Sequence, residues 1–224
     1  MTLLVDRLLV VGGGAWGTAL AMVARRAGRT VTLWAREAEV VDGINGRHEN
    51  PVFLPGISLD PAIAADGDLA SAAAGAGAVL MVTPAQHTRA VLAQLAPALA
   101  PDTPMVIASK GIEQDTGLLL SEVIAEAAPS VRSAVLSGPT FAAEVARGLP
   151  TAVTLAAADR GLAEALGQAI GGPLFRPYVA TDVIGAQVGG AVKNVIAIAC
   201  GIVHGRGLGE NARAALITRG LAEI

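Results

Sequence analysis

The sequence predicts an α/β protein, a doubly wound sheet of parallel strands followed by the start of an all-helical C-terminal domain. Three observations predict it. Short aliphatic runs alternate with alanine-rich stretches of helical length through most of the chain. Those runs are apolar throughout, as expected of parallel strands covered on both faces, and such alternation implies right-handed crossovers. From Asp182 onward no strand pattern remains, only helical sequence interspersed with glycine.

Taken in order, 8-LLVV-11 reads as a buried strand, and 1-MTLLVDRLLVVGGG-14 as strand sequence, not a signal peptide, because Asp6 and Arg7 interrupt it. A helix from Ala15 to Ala27 follows, stopped by Gly28. Next come the strand 30-TVTLW-34, a helix through 37-EAEVVDGIN-45 and the turn-rich loop 49-ENPVFLPGISLD-60. The strand 78-AVLMV-82, the helix 86-QHTRAVLAQLAPAL-99 and the strand 105-MVIAS-109 continue the alternation. A helix from Thr116 to Ala128 leads to 134-AVLS-137 and then to 140-TFAAEVARG-148. The segment 151-TAVTLAA-157, a helix from Arg160 to Ile170 and 174-LFRPY-178 complete the pattern. Asp182 is a candidate N-cap for the helical part, which sets the predicted domains at 1–181 and 182–224.

Composition narrows the function classes. With 27 glycines, 53% hydrophobic residues and 3% aromatic, the chain of 224 residues has a globular profile. A net charge of −3 without clustered positive charge argues against a nucleic-acid partner. The single cysteine, Cys200, excludes an internal disulfide, and the scattered His48, His87 and His204 match no metal-ligand spacing. The apolar run after Lys193 covers only about ten residues, too short to span a bilayer. A cytoplasmic protein with no membrane partner and no metal is expected.

The segment 12-GGGAWG-17 satisfies G-x-G-x-x-G and stands where that pattern has a mechanism, directly after a buried strand and opening a helix. Gly12 permits the tight turn, Gly14 leaves room for a pyrophosphate, and Gly17 allows close packing of helix on strand. The helix N-terminus offers its unpaired N–H groups to the phosphates. This is a Rossmann-like dinucleotide site. At the end of the second strand, 34-WARE-37 places Arg36 where an NAD site normally carries an acidic residue. An arginine suits a 2′-phosphate, so NADP is favoured over NAD.

A second clue is the use of lysine. Of sixteen basic residues fourteen are arginine, and the lysines are Lys110 and Lys193 alone. Arginine keeps its proton at accessible pH, whereas the pKa of a lysine moves with its surroundings. Lys193 stands at the front of the apolar run 188-VGGAVKNVIAIACGIV-203. Val192, Val195 and Ile196 around it are expected to desolvate it partly, and Lys110, if near, to act on it by like-charge repulsion.

Six segments in order, 12-GGGAWGTALA-21, 50-NPVFLPG-56, 109-SKGIE-113, 137-SGPTFAAEV-145, 189-GGAVKNVIAIACGI-202 and 207-GLGENARAALITRG-220, give the chain a resemblance to a known family. It resembles the bacterial NAD(P)-dependent glycerol-3-phosphate dehydrogenases, from about residue 7 onward. The resemblance implies interconversion of dihydroxyacetone phosphate and sn-glycerol 3-phosphate with NADPH or NADH, supplying the backbone of phospholipids. It implies that Lys193 is the catalytic lysine, with Lys110, Gly138, Thr140 and Asn194 at the substrate. It places Gly12, Gly14, Ala15, Trp16, Gly17, Arg36, Lys110 and Ala142 at the cofactor. Both lysines singled out by composition thus fall on site positions of the family.

There are departures. Ala15 stands where the family often has serine and Gln187 where glutamate is usual, while His204 and Arg206 occupy positions that more often carry aspartate and leucine. The family's chain also continues into further helices that supply an aspartate and a Ser/Thr-Arg-Asn run, so 221-LAEI-224 reads as a truncation within a helix. Two alternatives are carried forward: a ketopantoate-type 2-oxo acid reductase, and a dinucleotide-binding module without catalysis. The sequence leaves oligomeric state open, with a homodimer among the options.

Overall fold

The computed structural model describes residues 5–223, so the first four residues of the predicted N-terminal strand sequence and the last of 221-LAEI-224 lie outside the described residues. One sheet is built from β1 (Arg7–Val11), β2 (Thr30–Trp34), β3 (Ile63–Asp66), β4 (Ala78–Met81), β5 (Pro104–Ile107), β6 (Arg132–Ser137), β7 (Thr151–Ala156) and β8 (Phe175–Ala180). Its order is β3-β2-β1-β4-β5-β6-β7-β8. All neighbours run parallel except β6 and β7. Ser137 pairs with Thr154, so the chain turns back at the end of β6 instead of crossing over, and the last two strands are reversed.

The helices are α1 (Ala15–Arg26), α2 (Ala38–Arg47), α3 (Leu69–Ala73), α4 (Thr88–Leu95), α5 (Leu120–Ala127), α6 (Ala142–Arg147), α7 (Arg160–Ile170), α8 (Val183–Gly205) and α9 (Gly209–Glu223). The apolar strands bury both faces, as their composition requires. Leu8 and Val10 of β1 join the core beneath α1 and α7, while Leu9 and Val11 join the core beneath α4 and α5. Leu80 and Val106 follow the first set, Met81 and Ile107 the second. Each such fully buried aliphatic side chain contributes about 1.5–3 kcal/mol relative to exposure. Since β2 and β4 flank β1, the chain winds first one way and then the other, which opens a crevice at the C-terminal ends of β1 and β4.

Several predicted elements shift. The edge strand β3 and the short α3 have no counterpart in the sequence reading. Strand β3 is four residues long, and Asn45 pairs its side chain with both the N–H and the C=O of Ala65, at 2.8 and 2.9 Å. The predicted helix over 86–99 is a 3-10 turn at Ala85–His87, then α4, then a second 3-10 turn at Ala96–Ala98 containing Pro97. Helix α5 starts at Leu120, not Thr116, because Gly117 adopts φ +71° and Ile112 bridges to Leu119. Asp182 caps α8 by accepting from the N–H of Gly185 at 2.8 Å.

The bilayer argument from chain length is also corrected. Helix α8 has 23 residues and is by length and composition apolar enough to cross a membrane. The helical run extends well to either side of Lys193, and its alanines, valines and isoleucines supply the hydropathy. Its first turns pack on the sheet domain, with Val183 and Ala186 against the second core and Gln187 and Gly190 buried. Further along, Val195, Ile198 and Ile202 are exposed.

Gln187 ties α8 to α5. Its Oε1 accepts from the Ser121 N–H at 3.0 Å, and its Nε2 donates to Ser121 Oγ at 2.8 Å and to the Val183 carbonyl at 3.2 Å. An amide thus serves at a position where glutamate was expected, because one of its three partners is a carbonyl that needs a donor. Gln187→Leu strands a buried N–H and a hydroxyl, and is expected to lower stability by about 1–3 kcal/mol. Urea unfolding followed by tryptophan fluorescence reads this directly, and an unchanged midpoint would show that the tie carries no stability.

Candidate active site

The glycine loop joins β1 to α1 in the geometry that its sequence requires. Gly12 has φ +128°, and a Cβ there would meet the Val82 carbonyl group at 3.0 Å. A Cβ on Gly17 would lie 1.9 Å from the Gly12 carbonyl oxygen, so only glycine lets α1 pack this closely on the loop. Around Gly14, by contrast, a Cβ would meet nothing within 4 Å. This open side faces the start of α1, whose N-cap residue Gly14 provides no side-chain bond and whose first turn carries no acidic residue. A turn with this cradle and an uncapped helix N-terminus fits a dinucleotide pyrophosphate.

At the end of β2, Ala35 is fully buried and Arg36 is the first side chain to point outward. Its guanidinium is 78% exposed and bound only laterally, to Glu37 Oε1 at 3.1 Å. It is therefore free to meet an anionic group presented beside the loop.

Lys110 follows β5. Its Nζ donates to the Gly138 carbonyl at 3.2 Å, across the C-terminal ends of β5 and β6. Burial first, then the positive charge of Lys193, hold the Lys110 ammonium below the usual lysine range. Helix α8 brings Lys193 to this side of the crevice, although 83 positions separate the two lysines in the chain. Helix α8 reaches this point through Gly190, where a Cβ would lie 2.9 Å from Ser137 Oγ and 3.7 Å from Lys110 Cγ. Gln187, Gly190, Lys193 and Asn194 recur at helical spacing and share one face.

The desolvation expected for Lys193 falls on Lys110 instead. Lys193 is exposed, and its apolar neighbour Val195 is 67% exposed. Lys110, by contrast, is half-buried and lines the crevice.

The loop that carries Lys110 is fastened from α4. Arg89 grips the Glu113 carboxylate through Nε at 2.9 Å and Nη2 at 2.8 Å, and holds it below the usual carboxylate range. Gln86 adds a pair of bonds, donating to the Ile112 carbonyl and accepting from the Gln114 N–H, each at 2.8 Å.

A cavity of about 320 Å³ lies between these elements, lined by Trp16, Thr83, Ser109, Lys110, Thr140 and Ala142 among others. It gathers Trp16, Lys110, Thr140 and Ala142 from three separate motifs, with Gly138 at its edge through the bond to Lys110. Arg36 stands apart, at the end of β2. Asn194 is exposed on α8, beside Lys193. Sequence reading missed Thr83, which lines the cavity just past the end of β4, and Gly190. No sequence signal singles out Gly190, since α8 is rich in glycine and alanine and Gly189 stands beside it.

Comparison with known proteins agrees with this arrangement. Residues 7–163 match the family model for the N-terminus of NAD-dependent glycerol-3-phosphate dehydrogenase, and residues 182–224 match that for its C-terminus. A glycerol-3-phosphate dehydrogenase [NAD(P)+] of Parvibaculum lavamentivorans is 64% identical over all 224 residues, which cover 67% of that protein. One of Rhodospirillum rubrum is 62% identical over 224 residues, covering 64% of it. The crystal structure of a glycerol-3-phosphate dehydrogenase from Coxiella burnetii superposes with a TM-score of 0.91 at 39% identity, over 97% of this chain and 67% of that one. The chain thus spans about two-thirds of the length of the relatives it matches. The two-part match, the whole-length identity and the shared fold mean that the chain belongs to the NAD-dependent glycerol-3-phosphate dehydrogenase family.

Proposed function

We propose that the protein reduces dihydroxyacetone phosphate to sn-glycerol 3-phosphate with NADPH or NADH, and so feeds glycerophospholipid synthesis in the cytoplasm. The observation that carries this reading is the cavity beside the glycine loop, lined by Trp16, Lys110, Thr140 and Ala142, with α8 packed against Lys110 at Gly190, one turn before Lys193. Residues 1–181 serve as the dinucleotide-binding domain and residues 182–224 as the first part of a helical substrate domain. Gly12, Gly14, Ala15, Trp16 and Gly17 hold the pyrophosphate end, with Ala142 and Lys110 along the cleft. Arg36 faces the adenosine ribose, and its cationic, exposed position favours NADP.

When bound, a nicotinamide dinucleotide supplies the hydride. Lys193 gives the proton that the ketone oxygen takes up, and removes it in the reverse direction. Lys110 stabilises negative charge developing on that oxygen, an effect strengthened by its partial burial. Gly138, Thr140 and Asn194 hold the substrate, with the carbonyl of Gly138 also fixing Lys110. The exposed face of α8 belongs in this reading to the packing of the substrate domain, and no membrane or nucleic-acid partner is required.

The test is NADPH oxidation by the purified protein with dihydroxyacetone phosphate, alongside a calorimetric titration with NADP+. Oxidation that depends on dihydroxyacetone phosphate and not on a 2-oxo acid such as ketopantoate is the expected result. Binding without such oxidation would reduce the chain to a dinucleotide-binding module. Absence of binding would overturn the reading altogether.

A further inference from the structure

Two polar side chains next to the glycine loop, Asn50 and Thr18, are 0% exposed, and Asn50 joins them to the loop. It lies in the loop after α2, far in sequence from the residues it serves. Its Nδ2 donates to the Gly13 carbonyl at 2.7 Å and to Thr18 Oγ1 at 2.8 Å. Thr18 Oγ1 in turn donates to the Gly14 carbonyl at 3.0 Å. On its other side, Oδ1 accepts from the N–H groups of Val52 at 3.3 Å and Phe53 at 3.0 Å. With two donor and two acceptor contacts filled, the amide has one orientation only.

This has a consequence for the loop. In a trans peptide the C=O and the following N–H point in opposite directions. Pinning the Gly13 carbonyl inward therefore turns the Gly14 N–H outward, and pinning the Gly14 carbonyl does the same for the Ala15 N–H. These are the amides at the open side of Gly14. Left to itself, a run of three glycines samples many orientations of those planes, and fixing them costs conformational entropy.

We infer that Asn50, acting with Thr18, is a positioning residue that presets the glycine-loop amides for the dinucleotide pyrophosphate. It touches neither substrate nor cofactor and works through the Gly13 and Gly14 carbonyls. The inference rests on the dinucleotide reading above.

The test compares dissociation constants for NADP+ and NAD+ by calorimetry in wild type, Asn50→Asp and Thr18→Val. Measurements are made at a temperature where circular dichroism shows each protein fully folded, so a mere loss of stability does not move them. Asn50→Asp keeps the shape and the acceptor side but turns an oxygen on the Gly13 carbonyl. A rise of about tenfold in the dissociation constant is expected, the size of one lost buried hydrogen bond. Thr18→Val removes the side-chain bond to the Gly14 carbonyl, which keeps the Thr18 N–H, and takes from Asn50 Nδ2 one of its two acceptors; it is expected to weaken binding about threefold or more. If Asn50→Asp does not fold, Thr18→Val decides. Unchanged dissociation constants in the folded variants, whatever their melting temperatures, would overturn the proposal. A wild type that binds neither dinucleotide would instead overturn the dinucleotide reading and this inference with it.

Discussion

Lys193→Arg is expected to reduce dihydroxyacetone phosphate-dependent NADPH oxidation by about 10²–10⁴-fold, the range of a lost general acid–base group, or more. Its NADP+ dissociation constant should stay within about twofold of wild type, well inside the 1.4 kcal/mol that a tenfold change represents. The substitution keeps a positive charge near the position of the ammonium but removes the ability to exchange a proton, since guanidinium stays protonated at accessible pH. It therefore separates proton transfer from electrostatic attraction. Lys193 is exposed, so the change creates no buried misfit, and α8 keeps its anchors at Gln187 and Gly190. Steady-state rates measured beside a calorimetric titration test both halves. Retained turnover would remove Lys193 from the proton-transfer role and leave Lys110 as the candidate.

The second large effect concerns the glycine loop, where two neighbouring glycines should fail differently. In Gly17→Ala the new Cβ would stand 1.9 Å from the Gly12 carbonyl oxygen, a backbone atom that no rotamer change can move. Helix α1 must then shift from β1, at a cost of about 1–3 kcal/mol or more, and dinucleotide binding should fall with stability. In Gly14→Ala the Cβ meets nothing within 4 Å of protein. The melting temperature should hardly change, yet binding should weaken about tenfold or more because the methyl occupies the space left for a phosphate. Thermal unfolding and titration of the two variants provide the check. A Gly14→Ala protein that binds normally would mean that the open side of the loop is not where the ligand lies.

How far the sequence could be read depended on the kind of interaction. The strands of the sheet centre were legible because both of their faces are buried, which makes 8-LLVV-11 and 78-AVLM-81 continuous aliphatic runs. Helix α7 was legible to the residue, since Asp159 caps its start and Gly171 follows its end. Strand β3 was not, because an edge strand of four residues with alternating burial carries too few side chains to show a pattern. The start of α5 was missed for a related reason. Leu118 and Leu119 continue the apolar pattern of α5 backwards, but the positive φ of Gly117 and the bridge from Ile112 to Leu119 keep Thr116–Leu119 out of the helix.

The sequence by itself determined the strand–glycine–helix unit, the change to all-helical sequence near Asp182 and the two lysines, because these are written in local pattern and composition. Only the tertiary structure decided that Lys110 is the half-buried member of the pair, that Asn50 reaches the glycine loop and that Gly190 brings α8 against Ser137. Each of these depends on contacts between segments distant in the chain. Burial and hydrogen bonding are properties of the space around a side chain, and that space is filled by residues whose identity the neighbouring sequence does not encode.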